Sequence, residues 1–107
     1  MNGPQPPYYL CKVDHLGNIV SLILNGENYG NWSRMMTNAL KSKNKFCFVD
    51  EVLTKPENNN PKVHAWERCN SMVISWLYNV TDKALHGLVA NVEKASETWT
   101  DLKERYS

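Results

Sequence analysis

Cysteine and histidine side chains are the groups in this 107-residue chain with the clearest capacity for chemistry, as nucleophiles, bases or metal ligands. Cys69 and His64 are five residues apart, which places them about 140° apart around a helix axis, so they cannot form a nucleophile–base pair. Cys11 and His15 have a four-residue spacing that suits two metal ligands on a helix, but Gly17 and the extended pattern around them argue against a helix there. Because no Cys-x-x-Cys pair occurs, these residues predict neither a zinc ribbon nor a zinc knuckle.

The loops that bind phosphate or hold a nucleophile are also absent from the sequence. The five glycines do not give the Gly-x-x-x-x-Gly-Lys-Ser/Thr spacing of a nucleotide-binding loop, and no serine lies in a Gly-x-Ser-x-Gly turn. None of the four aspartates is followed by the Ser/Thr-Gly pair of an aspartic protease. We therefore predict no catalytic residue, no cofactor-binding residue and no metal ligand, and hence a protein that is not an enzyme and needs no cofactor.

Charge gives a limited basis for nucleic-acid binding. Twelve Lys and Arg against eleven Asp and Glu leave a net charge of +1, which supplies no broad basic field. Four cations nevertheless fall within twelve residues with no acid among them, and they are the candidate RNA contacts: Arg34, Lys41, Lys43 and Lys45. Such a run on a helix is more often a solvated face than a phosphate-binding patch.

The elements that must hold these residues begin after a Pro-rich arm predicted at residues 1–8, so that one domain spans residues 9–107. Ile19–Leu24 is β-branched and aliphatic and predicts a short strand or extended segment, with Tyr8–Val13 as a candidate partner. The sequence leaves open whether Ile19–Leu24 pairs within the chain or with a neighbour. This run is far shorter than the ~20 residues of a membrane span, and no secretory signal is evident, so we expect a cytoplasmic protein without membrane contact.

An amphipathic helix is predicted from near Asn31 to about Lys43. Apolar residues recur there at spacings of three and four, which places them on one stripe of a helix. The members of this stripe are Trp32, Met35, Met36, Ala39 and Leu40. Beyond the helix, Phe46 and Phe48 lie two residues apart, so an extended chain there would press both rings to one side.

A second helix is predicted to be capped by Asn60, with Pro61 at its first position, and to run to about Asn79. Its apolar stripe consists of Trp66, Cys69, Val73, Trp76, Leu77 and Val80. Further apolar residues lie off this stripe, which is typical of a central helix that is buried on several sides.

Two shorter helices complete the prediction, the third capped by Thr81 and the fourth by Ser96. The third has an apolar face of Leu85, Leu88, Val89 and Val92, and the fourth aligns Trp99, Leu102 and Tyr106. Roughly half the chain is then helical, against about a third in an average protein. The predicted fold class is all-α, a small bundle of about four helices with a short extended segment near the N-terminus.

The tryptophans are predicted to be core residues rather than a platform for a ligand. Three of them lie on apolar stripes and the fourth begins one, and nothing in their spacing requires a cleft. The predicted core consists of Trp32, Met36, Leu40, Trp66, Val73, Trp76, Leu77, Leu85, Leu88, Trp99 and Leu102.

Two motifs are more specific than this periodicity: an Asn-Tyr-x-x-Trp turn at Asn28–Trp32, and a Trp-x-x-Cys-Asn-x-Met-Val run at Trp66–Val73. With the residues around them, they resemble the N-terminal Gag region of plant Copia-type LTR retrotransposons. The likeness extends from about Tyr8 to the last residues, Glu104–Ser107. At Glu51 the chain departs from the family, in which glycine is common.

The resemblance implies a structural role. Gag of such elements looks like a retroviral capsid, with two helical lobes, and assembles into a shell around the RNA of the element. This chain would supply the N-terminal lobe. The partners implied are other Gag copies, held by weak self-association, and RNA through regions outside this chain.

Two other functions stay open from the sequence. The chain could be an RNA-binding module that uses the Arg34–Lys45 face, with an affinity that falls steeply as salt rises. It could also be a host-adopted adaptor that holds a peptide in a groove between helices. An assembly module, in contrast, should be monomeric or only loosely associated when isolated at micromolar concentration, because shells repeat contacts that are individually weak.

Overall fold

The computed structural model describes residues 22–107, and helices make up most of this range. In chain order the α-helices are α1 (Tyr29–Ser42), α2 (Val63–Asn79), α3 (His86–Ala90) and α4 (Ala95–Tyr106). Short 3₁₀ turns lie at Phe46–Phe48 and Lys83–Leu85. No strand occurs in the described range, so the predicted all-α fold class is confirmed. The predicted arm at residues 1–8, the Tyr8–Val13 segment and the Cys11–His15 pair lie outside the described residues.

Helix α1 begins two residues before the predicted start and buries four members of the predicted stripe, namely Trp32, Met36, Ala39 and Leu40. The fifth member, Met35, was assigned wrongly, because its side chain is 42% exposed. Met35 lies at the edge of the stripe, about 100° around the helix from Met36, where no other element covers it.

Helix α2 is the central element and buries seven side chains, more than any other helix in the described range. Its predicted start was two residues too early. The side-chain oxygen of Asn60 accepts a hydrogen bond from the amide of Lys62 at 2.8 Å, and its carbonyl accepts from the amide of Val63 at 3.1 Å. Asn60 therefore closes a turn that leads into the helix rather than capping the helix itself.

The predicted caps of the last two helices were also wrong. Asp82, not Thr81, caps the turn before α3, because its carboxylate accepts from the amide of Ala84 at 3.0 Å. Helix α4 begins at Ala95, so Ser96 lies inside its first turn and is buried.

The segment after α1 is a 3₁₀ turn rather than an extended chain, and it directs its two phenylalanines to different partners. Phe46 packs edge-on against Trp99, with ring centroids 5.8 Å apart, and Phe48 packs against Trp66 at 6.0 Å. The turn thereby contacts both α4 and α2.

The interior is one cluster of buried apolar side chains to which every helix contributes. Two residues of the predicted core, Leu88 and Trp99, are only partly buried and pack against this cluster. The other nine are buried, namely Trp32, Met36, Leu40, Trp66, Val73, Trp76, Leu77, Leu85 and Leu102.

Candidate functional site

Trp32 is the largest fully buried side chain of α1, and its polar atom is satisfied. The indole N–H donates to the carbonyl oxygen of Val80, just beyond the end of α2, at 2.9 Å. A buried donor without a partner would cost about 1–3 kcal/mol, so this bond is what allows a tryptophan at the centre of the fold. It ties α1 to the C-terminal end of α2.

Leu24 is an extended, fully buried residue that is bonded on both sides to the segment after α2. Its amide donates to the carbonyl of Val80 at 2.8 Å, and its carbonyl accepts from the amide of Asp82 at 2.8 Å. The result is an isolated parallel bridge between Leu24 and Thr81. The end of the predicted Ile19–Leu24 segment thus pairs within the chain, whereas residues 19–21 lie outside the described range.

Two asparagines shape the turn between Leu24 and α1. The side chain of Asn28 accepts from the amide of Asn25 at 3.1 Å and donates to the carbonyl of Ile23 at 2.8 Å. The side chain of Asn25 accepts in turn from the amide of Glu27 at 2.9 Å. Local bonds of this kind let asparagine stabilise a turn. The Asn-Tyr-x-x-Trp motif therefore has a structural explanation, since its Asn closes the turn and its Trp anchors the helix.

The C-terminal end of α4 closes over this turn. Gly26 has a φ angle of +91°, a left-handed conformation that glycine adopts without strain. A Cβ atom at Gly26 would lie 3.2 Å from the ring of Tyr106. Tyr106 in turn packs against Tyr29, with ring centroids 6.4 Å apart. Tyr106 thus packs α4 closely against the turn and the start of α1.

A row of aromatic rings continues from this point across the molecule. Tyr29 lies 6.2 Å from Trp32, Trp32 lies 5.8 Å from Trp99, and Trp99 lies 5.8 Å from Phe46, measured between ring centroids. Aromatic pairs at such distances stabilise by about 0.5–1.5 kcal/mol beyond the area that they bury. The row joins α1, the 3₁₀ turn after it and α4.

Asn70 positions the start of α4 from a distance, and the sequence pattern did not point to it. It is buried on α2, where its side chain accepts from the amide of Ala95 at 2.9 Å and donates to the carbonyl of Glu93 at 2.7 Å. A side-chain oxygen on a first-turn amide does the work of a helix cap. Asn70 falls inside the Trp-x-x-Cys-Asn-x-Met-Val motif, so this motif too has a structural explanation.

One tryptophan, Trp66, borders a cavity, which has a volume of about 340 Å³. Its indole is almost fully buried, and its N–H donates to the carbonyl of Leu53 at a long 3.5 Å. The rest of the wall is polar, formed by Lys55, Glu67, Asn70, Ser71 and Glu93. Trp66 is therefore the one aromatic residue among those that line this cavity.

The candidate RNA contacts do not form one exposed face, which corrects the expectation of four solvated cations. Lys43 is 9% exposed and Lys45 is 1% exposed, with the ammonium of Lys45 donating to the carbonyl of Lys43 at 3.3 Å. Arg34 and Lys41 remain exposed on α1. The ammonium of Lys41 lies 5.3 Å from the centroid of the Phe46 ring, a cation–π distance.

An acidic cavity of about 400 Å³ lies along α4, and the sequence analysis did not identify it. Its lining consists of Glu51, Val92, Ser96, Glu97, Thr100, Asp101 and Glu104. Glu51 has a φ angle of +64°, a left-handed conformation that glycine adopts more easily than other residues.

The two described cysteines are free thiols in environments that disfavour the thiolate. Burial, and secondarily the Asp50 carboxylate, raises the pKa of Cys47. Burial also raises the pKa of Cys69, against the opposing effect of the Lys45 charge. A raised pKa leaves less thiolate at neutral pH, and the thiolate is the reactive form.

Residues 22–107 contain neither a candidate metal site nor a membrane-spanning helix. No three His, Cys, Asp or Glu side chains come together there as a group that could hold a metal ion. None of the helices in the same range combines the length and the apolar character needed to cross a bilayer.

Comparison with known families gives one match. The model of a family described as Gag-polypeptide of LTR copia-type matches residues 14–57, a stretch that contains the Asn28 turn, the whole of α1 and the 3₁₀ turn after it. No curated protein and no solved structure matches the chain. The match includes the Asn-Tyr-x-x-Trp motif and ends before the Trp66–Val73 motif. It confirms the likeness to copia-type Gag over residues 14–57 and supports a structural role of the Gag type.

Proposed function

We propose that this chain, whose residues 14–57 match copia-type Gag, is a structural module that builds assemblies by weak association with copies of itself. In this role it binds no cofactor and catalyses no reaction, and it acts in the cytoplasm as the N-terminal lobe of a capsid-like Gag. The observation that carries the proposal is the family match over the segment that forms the turn, α1 and its junction with α2.

The distribution of side chains supports a structural role. The buried tryptophans bind the helices to one another, and the bonds of Trp32 and Asn70 connect elements that are distant in sequence. What the chain offers to partners is thus the exposed side of its helices. A shell subunit works through that outer surface, since it repeats the same contacts from copy to copy.

RNA binding has weaker support as the main activity of this chain. Two of the four candidate cations, Lys43 and Lys45, are buried, so the exposed charge on that side of α1 is limited to Arg34 and Lys41. Affinity for phosphates grows with the number of cations that reach them. Two exposed cations are few for a module whose function would rest on RNA.

Sedimentation velocity of the purified 107-residue protein tests the proposal. Without any added ligand or nucleic acid, the weight-average sedimentation coefficient should rise steadily from micromolar to millimolar protein and should fall again on dilution. This behaviour follows from contacts that are individually weak and that are not limited to two copies.

Three results would contradict the proposal. One is a protein that stays monomeric up to millimolar concentration. Another is a tight dimer already complete at micromolar concentration, because that is the behaviour of a closed two-copy interface. The third is association that requires a small molecule, which would point to a ligand-binding protein instead.

A further inference from the structure

An acidic face runs along α4. Glu97, Asp101 and Glu104 recur at spacings of four and three, so they share one side of the helix, and they line the cavity of about 400 Å³ together with Glu51. Among residues 22–107, the one ion pair made by these four carboxylates is that of Asp101 with Arg105, at 3.6 Å. The acidic face therefore carries negative charge that the described residues leave largely unpaired.

Helix α1 presents a face of opposite charge. Arg34 and Lys41 are exposed and seven residues apart, with the exposed Asn38 between them, and α1 contains no Asp or Glu. These three residues, the basic face, lie roughly 140–160° around the helix from the fully buried Met36, on the side turned away from the core. Met35 flanks the basic face and is 42% exposed.

The two faces have the same repeat. Seven residues of α-helix span about 10.5 Å, and this is the separation between Arg34 and Lys41 on α1 as well as between Glu97 and Glu104 on α4. Two cations can thus meet two carboxylates in register. The basic face points away from the elements against which α1 packs, so this meeting can take place between chains but not within one.

The geometry points to a head-to-tail contact in which the basic face of one copy binds the acidic face of the next copy. Met35, which is exposed beside the basic face, is available for an apolar contact with the bound copy. Because the two faces differ, a bound pair keeps one unused face at each end, so the contact generates rings or open chains rather than closed dimers. The inference rests on the proposed function and names the surfaces through which it would operate.

Charge reversal tests the contact. Sedimentation equilibrium of the 107-residue chain at low ionic strength should give a self-dissociation constant that rises about tenfold or more in R34E/K41E and in E97K/E104K. The first variant sets acid against acid, and the second sets base against base. A 1:1 mixture of the two variants restores opposite charges at both kinds of junction, and so does the chain with all four substitutions. Both should associate like the wild type.

Matched controls separate this contact from a general effect of net charge. K62E/R68E, just before and on α2, and E27K/E57K in the loops change the net charge by the same amounts at exposed positions outside both faces, so they should associate like the wild type. Thermal melts establish that each variant is folded. The neutral variant R34Q/K41Q should weaken association less than R34E/K41E, because it removes attraction without adding repulsion.

The outcomes distinguish the contact from the proposed function. If the wild type associates but either reversed variant associates equally well, or the mixture does not recover, this contact is wrong and self-association through another surface stands. If E97K/E104K alone loses association, the acidic face has a different basic partner and the pairing with α1 is overturned. If the wild type is monomeric throughout, the contact and the proposed function both fail.

Discussion

The indole nitrogen of Trp32 lies 2.9 Å from the carbonyl oxygen of Val80 and joins residues that are 48 positions apart. The amide of Leu24 donates to the same oxygen at 2.8 Å, so the chain before α1, α1 itself and the end of α2 meet at one carbonyl. The tryptophan of the Asn-Tyr-x-x-Trp motif thus stabilises the fold as a buried residue that connects α1 to the end of α2.

Replacing Trp32 with phenylalanine should lower the free energy of unfolding by about 2 kcal/mol, because the variant loses the hydrogen bond to Val80 and leaves a small cavity. Urea unfolding followed by circular dichroism measures this change. Trp66→Phe is the matched control, since Trp66 is also buried but its indole bond is a long 3.5 Å. A loss at Trp66 equal to that at Trp32 would show that the Val80 bond contributes little.

Alanine should have opposite effects at two glycines. Gly26→Ala should destabilise by roughly 1–2 kcal/mol, because it forces a left-handed backbone and places Cβ against Tyr106. Gly30→Ala should stabilise by roughly 0.5 kcal/mol, because Gly30 lies in α1 with open space around it. Thermal melts of the two variants measure these effects. A melting temperature of Gly26→Ala at or above that of the wild type would contradict the described turn.

Removing the side chain of Asn70, which caps α4 from α2, should destabilise the protein. Asn70→Ala deletes a buried hydrogen bond to Ala95 and a partly buried one to Glu93, and should cost about 1–3 kcal/mol. Asn91→Ala removes an exposed bond to the carbonyl of Gly87 and should cost no more than about 0.5 kcal/mol. Denaturant unfolding measures the free energy of unfolding of both variants. An equal decrease in the two variants would argue against the capping role of Asn70.

Thr98 offers a stabilising substitution. Its hydroxyl is fully buried and has no hydrogen-bond partner among residues 22–107, so Thr98→Val keeps the shape, removes this group and should stabilise by about 1 kcal/mol. Thr100→Val, at an exposed position two residues along α4, should change stability by less than about 0.5 kcal/mol. If Thr98→Val melts below the wild type, the hydroxyl has a partner in solution.

Stability should fall at alkaline pH through Cys69. Burial raises its pKa above the ordinary 9.0, so the folded state keeps a proton that the unfolded chain releases. The thiol's contribution to the free energy of unfolding is complete below the pKa of the unfolded chain. It decreases as the pH rises through that pKa toward the raised pKa of the folded state. The unfolding free energy should therefore drop more steeply above pH 9.0 in the wild type than in Cys69→Ala. Parallel curves would contradict the burial of this thiol.

Apolar spacing predicted α1 and α2 well because an amphipathic stripe is a property of the local sequence. The start of α4 could not be predicted in this way, since its cap is Asn70, which lies 25 residues before Ala95. Met35 fits the stripe but is exposed, because the stripe does not reveal which part of it a neighbouring helix will cover.

Charge was harder to interpret than hydrophobicity. A run of cations predicts a solvated face, yet Lys45 is buried, and only the packed structure could show this. The acidic face, in contrast, had a readable signal, because Glu97, Asp101 and Glu104 follow helical spacing. The position of Glu51 could not be predicted from helical spacing, because an irregular segment brings this residue to the same cavity.

Electron microscopy of the purified chain at high protein concentration tests the central claim most directly, that this protein exists to build assemblies from copies of itself. We expect rings, chains or shells with one regular spacing between copies, and these should disperse when salt is raised. Fields of separate single molecules at every concentration, or aggregates with no repeating distance, would contradict it.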